Sequence, residues 1–124
     1  MCFTIKRVLK ANRNIVCYKV LIKENGTLQS PYFFKTWELG EEQTEKLTVN
    51  KNKADEIKTV TGFYTYTNKK EAINTLRFFR RKTRGNFRVF KCIIPKSSVY
   101  YVSFCDEFCS DKLIIKRQLI FNLI

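Results

Sequence analysis

Apolar and aromatic residues lie along the chain in short runs, a pattern typical of strands. Residues 15–23, IVCYKVLIK, combine β-branched and aromatic side chains, and the Asn25-Gly26 pair that follows is a tight-turn signal. Residues 59–67, TVTGFYTYT, have the same character. We therefore predict a buried strand that ends in a tight turn, and a second strand near the middle of the chain.

Three further stretches favour strands. NFRVFKCIIP, residues 86–95, is apolar enough to be buried on both faces and stops at a proline, and VYYVSF, residues 99–104, follows it. LQSPYFFKTWELG, residues 28–40, contains Pro31, which favours a short or irregular edge strand. We expect Trp37, within this stretch, to cover the core.

The C-terminal stretch DKLIIKRQLIFNLI, residues 111–124, is apolar to its last residue. It is too long for one strand without a bend and too apolar to lie free in water. An exposed strand edge of this kind invites pairing with a second chain. We therefore expect this stretch to pack on other residues, and we predict a homodimer through residues 113–124.

The strongest helix signal covers residues 69–84. Asn68 can cap the start, Glu71 can reach back to the cap, and Gly85 can close the far end. At about 100° per residue, one side is apolar and another, within an arc of about 60°, is cationic. The apolar side consists of Ala72, Ile73, Leu76 and Phe79, and the cationic side of Lys70, Arg77, Arg81 and Arg84. We predict a helix that docks by the apolar side and exposes the basic one.

Together these elements predict an α+β fold in which residues 1–124 form a single compact domain. The expected sheet is mainly antiparallel and has about five strands, with the helix of residues 69–84 packed across one face. Six of the eleven acidic residues lie between Glu38 and Glu56, a stretch that we expect to be a polar loop.

Charge is the feature that points to a partner. The chain has 24 Lys and Arg against 11 Asp and Glu, a formal net charge of +13, which attracts nucleic acid or another polyanion. A basic excess also arises for solubility, and a charged helix face is often simply solvated. Because the arginine fork suits phosphate oxygens, we expect phosphate contacts without base reading. The predicted binding residues are Lys70, Arg77, Arg80, Arg81, Arg84, Arg88, Lys116 and Arg117.

The residue types give catalysis little support. The chain has no histidine, which removes the usual general base near neutral pH and the commonest zinc ligand. The remaining candidates are Asp106, Glu107, Asp111, Cys105 and Cys109, and we expect the adjacent acids to crown a solvated turn. The five cysteines form no CxxC pair and are expected to be small buried hydrophobes in a reducing compartment. We predict no catalytic residue, no metal and no cofactor.

The chain lacks the signals of a membrane or secreted protein. No apolar run approaches the roughly 20 residues that span a bilayer, and the N-terminal stretch lacks the pattern of a secretory signal. We expect a soluble intracellular protein that does not associate with a membrane.

Five phrases between residues 17 and 115 carry a family resemblance. They are CYKVL, SPY, GFYTYTNKKEA, KCIIPKSSVYY and SDKLII. In this order they resemble a family of small uncharacterised proteins encoded by large DNA viruses of amoebae, by phages and by some gut bacteria. The family has no established activity, and its members often have histidine where this chain has Tyr64. The resemblance implies a viral protein in the host cytoplasm or the virion.

The phrase GFYTYTNKKEA also resembles the ADP-ribosyltransferase module, in which an aromatic-rich strand enters a helix through a short threonine-containing turn. This resemblance implies a polar residue on the first strand that contacts NAD, for which Tyr18 or Lys19 could stand. It also implies a late glutamate that orients the ribose. Glu107 is the last glutamate of the chain, and Asp111 is the only acid after it.

Three functions are therefore expected, in order of preference. The first is a non-enzymatic viral accessory or virion protein that binds nucleic acid or another polyanion through the basic face of the helix. The second is a protein-interaction module, either a structural component of a virion or an inhibitor of a host factor. The third is an NAD-using enzyme that resembles the ADP-ribosyltransferases.

Overall fold

The structure is a computed structural model that describes residues 5–31, 36–51, 57–103 and 105–120. These residues form twelve strands and one helix, α1, which spans Lys69–Lys82. The strands are β1 (Ile5–Lys10), β2 (Ile15–Glu24), β3 (Thr27–Gln29), β4 (Thr36–Trp37), β5 (Glu42–Thr44), β6 (Thr48–Lys51), β7 (Ile57–Thr61), β8 (Phe63–Tyr66), β9 (Phe87–Ile94), β10 (Val99–Ser103), β11 (Glu107–Ser110) and β12 (Lys112–Gln118).

Ten strands form one sheet whose strand pairs are antiparallel. Its order is β1-β10-β11-β8-β2-β9-β12-β5, with β3 paired to β2 and β4 paired to β3. Strands β6 and β7 form a separate two-stranded sheet. The prediction of an α+β fold with about five strands is therefore wrong: the fold is dominated by a ten-stranded sheet and carries a single helix in the described residues.

The additional strands are short or polar, which explains why the sequence pattern missed them. Strands β5, β6 and β11 have three or four residues each, and β5, with the sequence EQT, lies in the stretch expected to be a loop. Alternation of apolar and polar residues cannot be recognised over so few positions. The run TVTGFYTYT is also two strands, β7 and β8, in different sheets. Gly62, with a φ of 138°, separates them.

The centre of the sheet is the long pairing of β2 with β9, which runs from Ile15 opposite Ile94 to Ile22 opposite Phe87. The strand predicted for residues 15–23 is confirmed, and so is its turn, because Asn25 and Gly26 both have positive φ. Apolar side chains are buried on both faces. One buried cluster includes Cys17, Leu21, Trp37, Phe63, Phe90, Cys92, Leu113 and Ile115, and a second lies under the helix and includes Val20, Ala72, Leu76, Phe79, Phe87 and Val89.

Trp37 covers the core as predicted. Its side chain is buried, its ring meets that of Phe63 edge-on with centroids 5.0 Å apart, and its indole Nε1 donates to Ser30 Oγ at 2.8 Å. Satisfying the indole N–H is what allows a tryptophan to be buried without penalty. The short strand β4 therefore anchors an otherwise polar segment to the main sheet.

The predicted start of α1 is confirmed and its predicted end is not. Asn68 Oδ1 accepts a hydrogen bond of 2.9 Å from the Glu71 N–H, which satisfies one free donor of the first turn. The helix ends at Lys82, and the N–H of Thr83 donates to Phe79 O at 3.0 Å. Gly85 therefore does not close the helix. The buried face of α1 is anchored by Phe79, which stacks on Phe87 with ring centroids 5.2 Å apart.

The apolar C-terminal stretch packs within this fold. Strand β12 lies between β9 and β5, and Leu113 and Ile115 are completely buried. The register of β12 on β9 shifts between Ile115 and Arg117, an irregularity of the β-bulge kind. Residues 121–124 lie outside the described residues. The homodimer through residues 113–124 stays a prediction.

Cys17, Cys92 and Cys109 are buried and form no disulfide, as expected. Cys105 differs, since it is exposed and disulfide-bonded. In the described part of the chain, the helix is neither long nor apolar enough to cross a membrane.

Candidate functional site

A cleft opens where strands β2 and β8 diverge. The two strands are neighbours in the sheet, but their backbones pair at a single position, Tyr18 opposite Tyr66. The cleft is small: its cavity volume is about 40 Å³, well below the range typical of pockets for drug-sized ligands. It is lined by Lys19, Val20, Pro31, Tyr64, Thr65, Tyr66, Thr75, Phe79 and Glu107.

Lys19 reaches across the gap between the two strands. Its Nζ donates a hydrogen bond of 2.7 Å to the backbone oxygen of Tyr64, and it lies 6.0 Å from the centre of the Trp37 ring. Burial lowers the pKa of Lys19, while the nearby thiols of Cys92 and Cys17 act in the opposite direction. An ammonium has three donors, so Lys19 keeps N–H groups for a ligand after it has satisfied Tyr64.

Glu107 brings a carboxylate to the same cleft. Its Oε2 is buried and has no hydrogen-bond partner among the described residues. Burial raises the pKa of Glu107, Lys19 lowers it, and Glu71 raises it further. The expectation that the adjacent acids crown a solvated turn therefore holds for Asp106, which is exposed, and is wrong for Glu107.

A tight turn places Glu107 at the start of β11. Asp106 has a φ of 56°, and Ser103 Oγ accepts hydrogen bonds from the N–H groups of Cys105 and Glu107 at 3.1 and 3.2 Å. This turn reverses the chain between β10 and β11, so that Glu107 lies opposite Tyr66. Asp111 is engaged elsewhere, because its Oδ1 accepts the N–H of Val99 at 3.0 Å.

Two buried oxygens of this cleft are unsatisfied. Besides Glu107 Oε2, the hydroxyl of Thr65 is buried without a hydrogen-bond partner in the described residues. Each such group costs about 1–3 kcal/mol when it is left unpaired. A ligand that supplies donors to these oxygens would recover that free energy. The arrangement is thus suited to a polar ligand rich in hydroxyl groups.

The predicted cationic residues are exposed, apart from Arg88, which is partly buried. Lys70, Arg77 and Arg81 lie on the helix, whereas Arg84 lies beyond its end because the helix stops at Lys82. Arg80 and Arg88 come together on one backbone carbonyl, that of Phe87. The remaining predicted residues, Lys116 and Arg117, are exposed on β12.

The residues of the cleft were only partly recognisable from the sequence. Lys19 lies two positions from both Cys17 and Leu21, which are completely buried. A lysine in register with core positions of a strand is a signal for a buried amine, and it was available in the sequence. Nothing in the local sequence of Glu107 or Thr65 predicted that their oxygens would face the same cleft.

Within the described ranges, no three Cys, Asp or Glu side chains lie close enough together to hold a metal ion. No protein-family model, curated protein or solved structure matches this chain. The resemblances to the viral family and to the ADP-ribosyltransferases therefore stay predictions.

Proposed function

We propose that the protein is an NAD-using transferase of the ADP-ribosyltransferase type that acts in the cleft between β2 and β8. One observation carries the proposal: Lys19 and Glu107, which are far apart in the sequence, line the same cleft. Lys19 is one of the two residues that could stand for the early polar residue of the resemblance, and we propose Glu107, the last glutamate of the chain, for the residue that orients the ribose. The aromatic strand β8 also enters helix α1 directly through Thr67 and Asn68.

Glu107 is suited to the charge that develops during ADP-ribosyl transfer. The bond between the ribose and nicotinamide breaks, and its electron pair leaves with nicotinamide, which becomes neutral. Positive charge develops on the ribose until an acceptor forms the new bond and releases its proton to solvent. A carboxylate in a poorly solvated cleft stabilises this positive charge and accepts hydrogen bonds from the ribose hydroxyls. Glu107 Oε2 is available for that contact.

Lys19 is proposed to bind and orient the substrate. With one donor on Tyr64 O, the remaining N–H groups of its ammonium suit hydroxyl or phosphate oxygens of the dinucleotide. The cleft is far smaller than a dinucleotide, so only part of the nicotinamide and its ribose is expected to enter it, beside Lys19 and Glu107.

Release of nicotinamide from NAD, measured by chromatography, tests the proposal. We expect Glu107→Gln to lower the rate roughly 100-fold, since it removes the charge without changing the shape. Glu24→Gln is the matched control, because Glu24 is an exposed glutamate on β2 and should leave the rate unchanged. Millimolar NAD should also raise the melting temperature of the wild-type protein. Equal rates in the two variants, or no release by the wild type, would reject the enzyme.

A second candidate function is polyanion binding by the basic face, supported by a separate observation. Lys70, Arg77, Arg81 and Arg84 are exposed, and none of them forms a salt bridge with a described residue. Each phosphate that such a surface neutralises adds about 0.9 to the negative slope of log affinity against log salt concentration. Four contacts would therefore weaken binding strongly at high salt.

Charge reversal tests this second candidate. Replacing these four residues by Glu should abolish the gel mobility shift of an oligonucleotide at low salt. The control reverses four other exposed lysines, Lys10, Lys23, Lys46 and Lys96, so that the net charge changes equally. If both variants lose binding to the same degree, net charge alone is responsible and the basic face is not a site. Capture of an acidic protein with no nucleic-acid shift would favour the protein-interaction module.

A further inference from the structure

A second cleft lies on the other side of the helix from the Lys19 cleft. Its apolar wall is formed by Leu76 of α1, Val89 of β9 and Leu119. The exposed Ile120 also lines it, and the polar part of the lining consists of Arg80, Arg88 and Gln118. Its lining thus combines apolar side chains with two guanidinium groups and an amide.

The two guanidinium groups are held together by a shared acceptor. Arg88 Nη1 donates to the Phe87 carbonyl oxygen at 2.8 Å, and Arg80 Nη2 donates to the same oxygen at 3.4 Å. The two nitrogens therefore lie no more than about 6 Å apart, where like charges repel each other. One carbonyl carries only a partial negative charge, so it cannot neutralise both side chains.

No acidic residue in the described ranges forms a salt bridge with either arginine. Each guanidinium has five N–H donors, and the shared carbonyl engages one from each. The donors that remain include planar forks, which match the oxygens of a phosphate in a bidentate arrangement. Gln118 adds an amide donor to the same cleft.

We infer that Arg80, Arg88 and Gln118 form a binding site for a phosphate group. The ligand is either a phosphate of a nucleic-acid backbone or the phosphate of a free nucleotide or pyrophosphate. In the first case the inference deepens the second candidate function and rests on it, because this site binds one phosphate of the nucleic acid while the exposed basic residues contact other phosphates of the same backbone. In the second case the site acts independently of polyanion binding.

Pyrophosphate is the first probe, titrated into the intact protein by calorimetry. Arg80→Gln combined with Arg88→Gln should weaken its binding about tenfold or more, since charge-assisted hydrogen bonds are lost. Arg13→Gln combined with Lys46→Gln is the control, because it removes two exposed charges elsewhere and should leave the affinity unchanged. Unchanged affinity in the Arg80/Arg88 variant, or no binding by the wild type, would overturn the site.

Arg88→Lys provides a second variant that keeps the charge and loses the fork. It should bind pyrophosphate more weakly than the wild type and unfold at the same temperature. If it binds as tightly as the wild type, the bidentate site is wrong even if the double variant fails to fold.

An oligonucleotide is the second probe and separates the two phosphate sources. Loss of oligonucleotide binding in the variant that carries both Arg80→Gln and Arg88→Gln assigns the site to a nucleic-acid backbone. If this variant still binds the oligonucleotide but no longer binds pyrophosphate, the site is assigned to a free phosphate ligand. A third outcome is that oligonucleotide binding is lost only when the charges of Lys70, Arg77, Arg81 and Arg84 are reversed. If that charge-reversed variant still binds pyrophosphate, the basic face and the phosphate site are separate sites. If the wild type binds pyrophosphate but no oligonucleotide, polyanion binding fails and the phosphate site stands.

Discussion

The Nζ of Lys19 donates a hydrogen bond of 2.7 Å to the backbone oxygen of Tyr64 and so links β2 to β8 where their backbone pairing has ended. In a continuous ladder a backbone N–H would satisfy this carbonyl. Here a side-chain ammonium donates to it and bridges the gap between the two strands. The cleft and its buried amine are therefore consequences of the same interruption of the sheet.

Replacing Lys19 by methionine should weaken the binding of NAD far more than it changes the free energy of unfolding. Methionine fills the same space, so the lost bond to Tyr64 O, worth about 1–2 kcal/mol, is offset by relief from burying an amine. We expect the free energy of unfolding in urea to change by less than about 1 kcal/mol. Lys19→Ala should lose about 2 kcal/mol more because it also leaves a cavity. Loss of several kcal/mol in the methionine variant would mean that the amine has a structural role.

Glu107 should make the protein less stable as the pH rises above the ordinary range of a carboxylic acid. Its pKa is raised in the folded state by burial, so the folded state binds more protons than the unfolded chain between the ordinary pKa of 4.5 and the folded value. Stability that is present below pH 4.5 is therefore lost as the pH rises through the folded pKa. Urea denaturation from pH 4 to 8 checks this, and Glu107→Gln should remove that part of the slope. An identical pH dependence in both proteins contradicts the burial of the carboxylate.

Gly62 should not tolerate a side chain. It has a φ of 138°, and a Cβ at this position would overlap Leu47 and lie 2.5 Å from Cys109 Sγ. We expect Gly62→Ala to lower the free energy of unfolding by about 2–4 kcal/mol through backbone strain and overpacking. Gly26→Ala is the matched control, with a φ of +78° but no atom within 4 Å of the added Cβ. It should lose only about 1 kcal/mol. If the two variants lose the same free energy of unfolding, backbone strain alone accounts for the loss and the overlap with Leu47 and Cys109 contributes nothing.

The buried thiols should resist alkylation in the folded protein. Burial raises the pKa of Cys92 well above its ordinary value, and a side-chain hydrogen bond with Cys17 acts in the same direction. Since the thiolate is the reactive species, iodoacetamide at pH 8 should modify Cys17, Cys92 and Cys109 only after denaturation. Peptide mass spectrometry measures the modified fraction. Rapid modification of Cys92 in native buffer would indicate that the β2-β9 pairing opens readily.

Local signals predicted the elements whose causes are local. Asn68 and Glu71 marked the start of α1 because a cap depends on residues three positions apart. The predicted end failed because the chain leaves the helix at Thr83 in an extended conformation, before Gly85 is reached. The long apolar strands β2 and β9 were likewise recognisable. Strands β5 and β11 were not, since three or four residues become a strand only through pairing with distant neighbours.

The sequence by itself determined the charge of +13, the capped basic helix and the central strands, because each depends on composition or on neighbouring positions along the chain. Only the tertiary structure decided which strands pair, and hence that Lys19 and Glu107 share a cleft and that Arg80 and Arg88 share a carbonyl. The physical reason is that strand partners are selected by burial and backbone hydrogen bonding over the whole sheet, and this selection leaves no local pattern in the residues that it brings together.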